Sequence, residues 1–320
     1  MKKGTKIALI TAVVLILAGS MLFAGVMNRL DWRTEQLSTG QYETNTHVID
    51  EAFDSIDVKT MISGIALAKA EDGTCRVICH EDAKAKHRVT VENGVLTVAI
   101  DDQRTWLDHI NFGSKNPLIT IFLPGDAYDD LYIDGTTGGV DVPEGLTFEN
   151  VFIRVNTGGV IFKADTNHNA QIIATTGSIR VHDIAAKSLH LKVTTGTVGA
   201  ENVTCEESLT VFVTTGRATV ENAVCKTFAS GGNTGDIRLV NVIADEKMDI
   251  ERSTGDVVLD ACDAGEMHVE TDTGDVTGTL LSGKTFIVET DTGSVRVPRD
   301  ISGGRCEIET DTGDIRITIQ

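Results

Sequence analysis

Ten Thr-Gly dipeptides form a periodic series in this chain, with the glycine at Gly138, Gly158, Gly177, Gly196, Gly216, Gly235, Gly255, Gly274, Gly293 and Gly313. Every interval is 19 or 20 residues. A fixed period of that length marks a stacked repeat, in which one unit cannot bury its apolar face alone. Alignment on the glycine exposes the columns. Five residues before it stand Ile133, Ile153, Ile172, Leu191 and Val211, and seven before it stand Leu131, Val151, Ala170, Leu189 and Leu209. That alternation is strand periodicity with one buried face. The apolar phase resumes two residues after the glycine, at Val140, Val160, Ile179 and Val198, having skipped a step. A strand cannot skip a step without turning, so the chain corners at glycine, which reaches positive φ at no steric cost. A further apolar position, seven after the glycine (Ile184, Val203, Ala223, Val242, Cys262, Leu281), predicts a second corner near Asn202, Asn222 and Asn241.

These columns predict an all-β fold, a single-stranded parallel β-helix over residues 131–320 in which coils stack into one core. Ten coils at one strand spacing each make a rod of about 50 Å. The 19- and 20-residue intervals do not fit the hexapeptide period of left-handed β-helices, which favours a right-handed coil.

The N-terminus is of another kind. Ile7 to Met27 carries no charge and is long enough to cross a hydrocarbon core of about 30 Å as a helix. Lys2, Lys3 and Lys6 precede it, so the positive-inside bias keeps residues 1–6 cytoplasmic and places the rest outside the cell membrane. The pattern predicts a single-pass signal-anchor over 7–27, the competing reading being a signal peptide cleaved after Ala18-Gly19-Ser20 or Leu22-Phe23-Ala24. The formal net charge is −19, and past residue 30 only 24 of the 28 basic residues face all 47 acidic ones. Such a body repels nucleic acid. Residues 28–50 are polar and unpatterned, as in a juxtamembrane linker. Residues 51–130 carry short alternating runs and an Asn93-Gly94 hairpin turn, and read as irregular first coils or a β cap.

Three segments together resemble the bacterial DUF4097 family of candidate adhesins: Phe53-Asp54-Ser55-Ile56-Asp57-Val58, Ile119-Thr120-Ile121-Phe122-Leu123-Pro124, and the Thr-Gly-[Asp/Ser]-[Val/Ile] repeats. The resemblance covers about residues 51–320. It implies a β-helical extracytoplasmic domain at the cell surface and brings no catalytic residues with it.

The residues that could carry chemistry are mostly carboxylates. Glu270, Glu289 and Glu309 stand four before the glycine, Asp272, Asp291 and Asp311 two before it, and Asp275 and Asp314 one after it. Stacked like charges repel. They form either a solvated acidic face, partly balanced by Arg238, Arg296 and Arg316, or a weak calcium site, since calcium accepts six to eight oxygens. No other cofactor is expected. The paired threonines of Thr271/Thr273, Thr290/Thr292 and Thr310/Thr312 share the parity of the buried columns and are expected to point inward as a structural ladder. Cys205 and Cys225 share a column, which would bring them within disulfide range. Cys75, Cys79 and His80 have the donors for zinc, although His80 should face the opposite side of its strand.

The expected function is therefore non-catalytic: a membrane-anchored surface adhesin or binding scaffold, with envelope polysaccharide or a surface protein as partner. One alternative is a partner-binding component of an envelope-stress or signalling system. Another is a polysaccharide-active enzyme, but such sites lie in clefts walled by long loops, and the unbroken interval leaves none. The loop at 101–116, with Trp106, Asp108 and His109, is the one place for catalysis. The chain ends on Ile315-Arg316-Ile317-Thr318-Ile319 with no following cap, so the last coil is expected to offer an edge for end-to-end homo-oligomers.

Overall fold

The computed structural model describes residues 3–32, 41–104, 116–299 and 302–320. Trp106, Asp108 and His109 lie outside the described residues. Helix α1 (Lys3–Arg29) carries its large apolar side chains exposed, Met27 excepted, and is long and apolar enough to cross a membrane, a property that signal sequences share.

The strands run in chain order as β1 (Tyr42–Ile49), β2 (Ser55–Thr60), β3 (Gly64–Lys69), β4 (Cys75–Asp82), β5 (Ala85–Glu92), β6 (Val95–Asp102) and β7 (Leu118–Leu123). Next come β8 (Ala127–Thr137), β9 (Val140–Val142), β10 (Thr147–Thr157), β11 (Val160–Phe162), β12 (Asp165–Thr234), β13 (Ile237–Thr254) and β14 (Val257–Thr273). The chain closes with β15 (Val276–Leu280), β16 (Lys284–Thr292), β17 (Val295–Arg296), β18 (Gly304–Thr312) and β19 (Ile315–Ile319). From β8 onward all pairing between strands is parallel, and equivalent columns meet: Ile133 on Ile153, Ile153 on Ile172, Ile250 on Val269. Each coil is three short inward-facing runs. Nine of the ten corner glycines have φ between +115° and +158°. The second corner is left-handed too, at Asp183, Asn202, Asn222, Asn241 and Ala261. Its asparagines form their own ladder, Asn222 Nδ2 donating to Asn202 Oδ1 and Asn241 Nδ2 to Asn222 Oδ1, each at 3.1 Å.

The alternation of 19 and 20 residues has a local cause. Cys225 pairs with Ala244, yet the next pair is Thr227 with Lys247, so the extra residue is absorbed as a bulge between the small-residue column and the following strand. At the next step the register slips back by the same amount. The columns that make the core therefore stay aligned.

Four expectations change. Residues 28–50 are not wholly linker, because Tyr42–Ile49 forms β1, antiparallel to β4. Thr271 and Thr310 are buried as expected, but Thr273, Thr292 and Thr312 are exposed, since the chain is already turning in the two residues before the glycine. Leu281 is 41% exposed, its place in the core being taken by Leu280. The fourth change concerns the order of the coils. β18 pairs with β14 on one side and β16 on the other, and β19 likewise lies between β15 and β17. The last coil in sequence is thus the last but one in space, and the end of the stack is β16 and β17. The N-terminal end is interleaved in the same way. β2 pairs with both β6 and β8, and β3 with both β7 and β9, so the first coil is held between the second and third. Antiparallel β5, β4 and β1 then cover that end. The edge expected at 315–319 is therefore interior, with Ile315 and Ile317 at most 1% exposed. The coil that ends the stack is β16–β17, where Ile287 is 47% and Val295 46% exposed.

Candidate binding face

The carboxylates proposed for calcium do not converge. Among the described residues no three of them bring donor atoms together, and they divide into two roles. The column one after the glycine is structural. Asp256 Oδ1 accepts the backbone N–H of Asp275 (2.9 Å), Asp275 Oδ1 that of Asp314 (2.8 Å), and Asp314 Oδ1 that of Ser294 (2.8 Å). Each carboxylate thus caps the corner of the next coil in space. The Ser294 hydrogen bonds hold the Asp314 carboxyl below the usual aspartate range, with Arg316 assisting. The columns two and four before the glycine, with Glu270, Asp272, Glu289, Asp291, Glu309 and Asp311, are exposed and form the acidic part of one outward face.

The other part of that face is different. Six residues before the glycine, Tyr132 and Phe152 stack with ring centroids 5.2 Å apart and planes 11° apart. Lys59 Nζ lies 5.2 Å from the Tyr132 ring, and the Arg154 guanidinium lies 5.2 Å from that of Phe152. Two coils on, Lys192 Nζ lies 5.5 Å from the Phe212 ring. Such cation–π pairs keep both the ring and the charge at the surface, within one coil for Arg154 and Phe152 and between coils for the other two. In the column four before the glycine the face runs Asp134, Arg154, Ile173, Lys192, Phe212, Gly231, Glu251, Glu270. Its start holds acids, Asp134 and the Asp57 that pairs with Lys59 at 2.7 Å; from Arg154 to Phe212 it is aromatic and cationic, and from Glu251 on it is acidic.

The changeover is marked by a defect in the core. Arg252 is 3% exposed in an inward column, and its Nη1 donates to the carbonyl of Val213 two coils away (2.7 Å). It passes over Gly232, where a Cβ would collide with the guanidinium. Its Nε and Nη2, and the nearby buried Ser230 Oγ, find no protein partner among the described residues. Burial lowers the Arg252 pKa from its ordinary value, with Asp236 opposing. Above it lies a hollow of about 360 Å³ bounded by Phe212, Gly231, Asn233, Glu251 and Asp272. A second hollow of about 290 Å³ opens after the glycine corner, where Gly199 lacks a side chain between Arg180, His182 and Arg217.

The cysteines are all unpaired. Cys205 and Cys225 are neighbours in one column, but both remain buried thiols and no disulfide joins them. Burial raises the thiols to about 11 in Cys75 and Cys262 and to about 12 in Cys79, Cys205, Cys225 and Cys306. The thiolate is the reactive form. All six should therefore stay silent to a disulfide reagent in the native chain at mildly alkaline pH and react together on denaturation. The zinc reading of Cys75, Cys79 and His80 does not assemble. The His80 ring turns outward to stack on Tyr42, at 5.7 Å, while Cys79 faces Glu81 and His87.

Two profile matches of the Toastrack DUF4097 family span residues 53–216 and 206–320. The chain belongs to this family. The solved structures it resembles include a candidate adhesin from Parabacteroides merdae, 11% identical, with a TM-score of 0.50 over 88% of this chain and 98% of that one. Two from Parabacteroides distasonis have TM-scores of 0.47. One is a candidate adhesin, 11% identical, over 85% of this chain and 98% of that one. The other is a candidate lipid-binding protein, 12% identical, over 88% and 98%. At these identities the likeness is one of fold. No curated protein matches the chain. A stack of coils explains the interval that never lengthens, since each coil must present the same columns to its neighbours.

Proposed function

We propose that this Toastrack protein is a non-catalytic binding protein of the bacterial envelope. In this reading α1 holds it to the membrane, and the solenoid on the extracytoplasmic side takes an acidic glycan polymer along the first half of its outward face. The observation that carries this reading is the Tyr132–Phe152 stack with Lys59 and Arg154 against it, extended by Lys192 and Phe212. Rings supply apolar area at little entropic cost, and the cations supply charge complementarity. Rings and cations recur along the stack, on the coils of Tyr132, Phe152 with Arg154, Lys192 and Phe212, which suits a linear ligand more than a compact one. The acidic second half would repel the same polymer and so limit where it can lie.

Immobilised acidic and neutral polysaccharides presented to the full chain in detergent test the proposal. Arg154→Glu with Lys192→Glu should weaken binding to the acidic polymer at least tenfold, about 1.4 kcal/mol. Glu270→Gln with Asp272→Asn should leave it unchanged or tighten it. Equal binding of neutral polymer, or no effect of the arginine and lysine changes, rejects the proposal. A protein partner is the second reading, favoured by the open hollow at Gly199 between Arg180 and Arg217. A Gly199→Trp change should then abolish capture of that partner and leave glycan binding intact.

A further inference from the structure

The N-terminal cap contains a polar cluster that the outward face does not use. Cys79, Glu81 and His87 are 0%, 1% and 4% exposed, and a sulfur, a carboxylate oxygen and a ring nitrogen, one from each, all lie within 4.8 Å of one another. Local structure brings them together. Cys79 and Glu81 are two apart on β4 and so share its inward face, and the tight connection from Asp82 to Ala85 returns the chain so that β5 places His87 against them. His87 Nδ1 lies 2.6 Å from Glu81 Oε2, an oxygen that also accepts the His87 backbone N–H at 2.7 Å. The remaining atoms are anchored. Asn45 Nδ2 donates to Glu81 Oε1 at 2.8 Å, and His87 Nε2 lies 3.2 Å from Thr60 Oγ1. Thr60 Oγ1 itself accepts the Ser63 backbone N–H at 3.3 Å.

We propose that Cys79, Glu81 and His87 form a zinc site that ties β4 to β5 in the cap. Three features support it. The donor set is one thiolate, one carboxylate and one imidazole, all of them zinc ligands, and three protein ligands leave one tetrahedral position for water. The two anionic donors cancel the charge of the ion, which a site this deeply buried requires. The outer contacts are those of a metal site: the second ring nitrogen of His87 is held by a hydroxyl, and the second oxygen of Glu81 by an amide. Zinc bonds of roughly 2.0–2.3 Å put donors about 3.5 Å apart, so the ion replaces the His87–Glu81 hydrogen bond and opens that contact by about 1 Å.

The test is metal binding by the reduced full chain in detergent, with zinc measured by elemental analysis and cobalt(II) as a spectroscopic substitute. One metal per chain, with a thiolate-to-cobalt charge-transfer band, is the expected result. Cys79→Ser and His87→Ala should each remove the band, while Cys75→Ser keeps it, and zinc should raise the melting temperature of the wild type and Cys75→Ser but not of Cys79→Ser or His87→Ala. If Cys79→Ser does not fold by circular dichroism, Glu81→Gln takes its place and should weaken cobalt binding at least tenfold. Substoichiometric metal, a band that survives Cys79→Ser, or affinity untouched by Glu81→Gln overturns the proposal.

Discussion

Gly216→Ala should destabilise the solenoid by about 4 kcal/mol, while Gly199→Ala, seventeen positions away, should change its stability by less than about 0.5 kcal/mol. Gly216 sits at φ +136°, which disfavours any L side chain, and a Cβ there would be driven into the carbonyl of Gly196 in the coil beneath. Strain and overpacking each cost roughly 1–3 kcal/mol, and here they act together. Neither can relax, because the column recurs: Gly196 is itself pressed on Gly177, and Gly235 on Gly216. Gly199 faces open space, with nothing within 4 Å of an added Cβ. Urea denaturation of both variants, with hydrogen exchange read coil by coil, separates the two glycines. Exchange should rise first in the coils flanking residue 216, since repeat arrays lose stability between nearest neighbours. Equal midpoints would mean that the corner does not need glycine.

That pair also shows what was legible in the sequence. The Thr-Gly column predicted the corner because both requirements, positive φ and close approach, fall on one position in every coil. The inward columns were equally plain, since burial imposes a single polarity at each of them. The proposed binding face stands in the same alignment, but outward columns carry no common polarity. Tyr132, Phe152 and Arg154 become a site only when stacking sets Phe152 upon Tyr132. The aspartates one after the glycine looked like an acidic surface because a carboxylate accepting a backbone N–H has the same sequence as a solvated one. Cys79 and Glu81 stand two apart on one strand, yet His87 lies across a turn that no Gly or Asn announces, between Asp82 and Ala85. Coil order was hidden for a deeper reason. Each coil presents the same columns above and below, so any coil fits upon any other, and the pattern that specifies register says nothing about sequence along the stack.

Substitutions at the C-terminal end distinguish the two orders. Ile308→Asp should unfold the last two coils, whereas Val288→Asp should be tolerated at a cost of about 1 kcal/mol. If the chain stacked in sequence order the reverse would hold, because residue 308 would lie in the outermost layer. Instead Ile308 is 1% exposed, with Val269 on one side and Val288 on the other. An aspartate there loses the isoleucine burial, worth about 2–5 kcal/mol, and puts a carboxylate among apolar neighbours with no partner. The cost cannot exceed the free energy of detaching the affected layers, so it should appear as local opening rather than global unfolding. β16 depends on β18 for its only parallel partner among the described residues, so its protection should vanish together with that of β18. Hydrogen exchange of the full chain should accordingly show residues 284–296 and 304–319 opening as one unit in Ile308→Asp, with residues 131–280 still protected. Val288 is only partly buried, its outer side facing no further coil, and an aspartate there can turn its carboxylate to water. A Val288→Asp variant that opens as readily as Ile308→Asp would place both coils equally deep and refute the interleaved order.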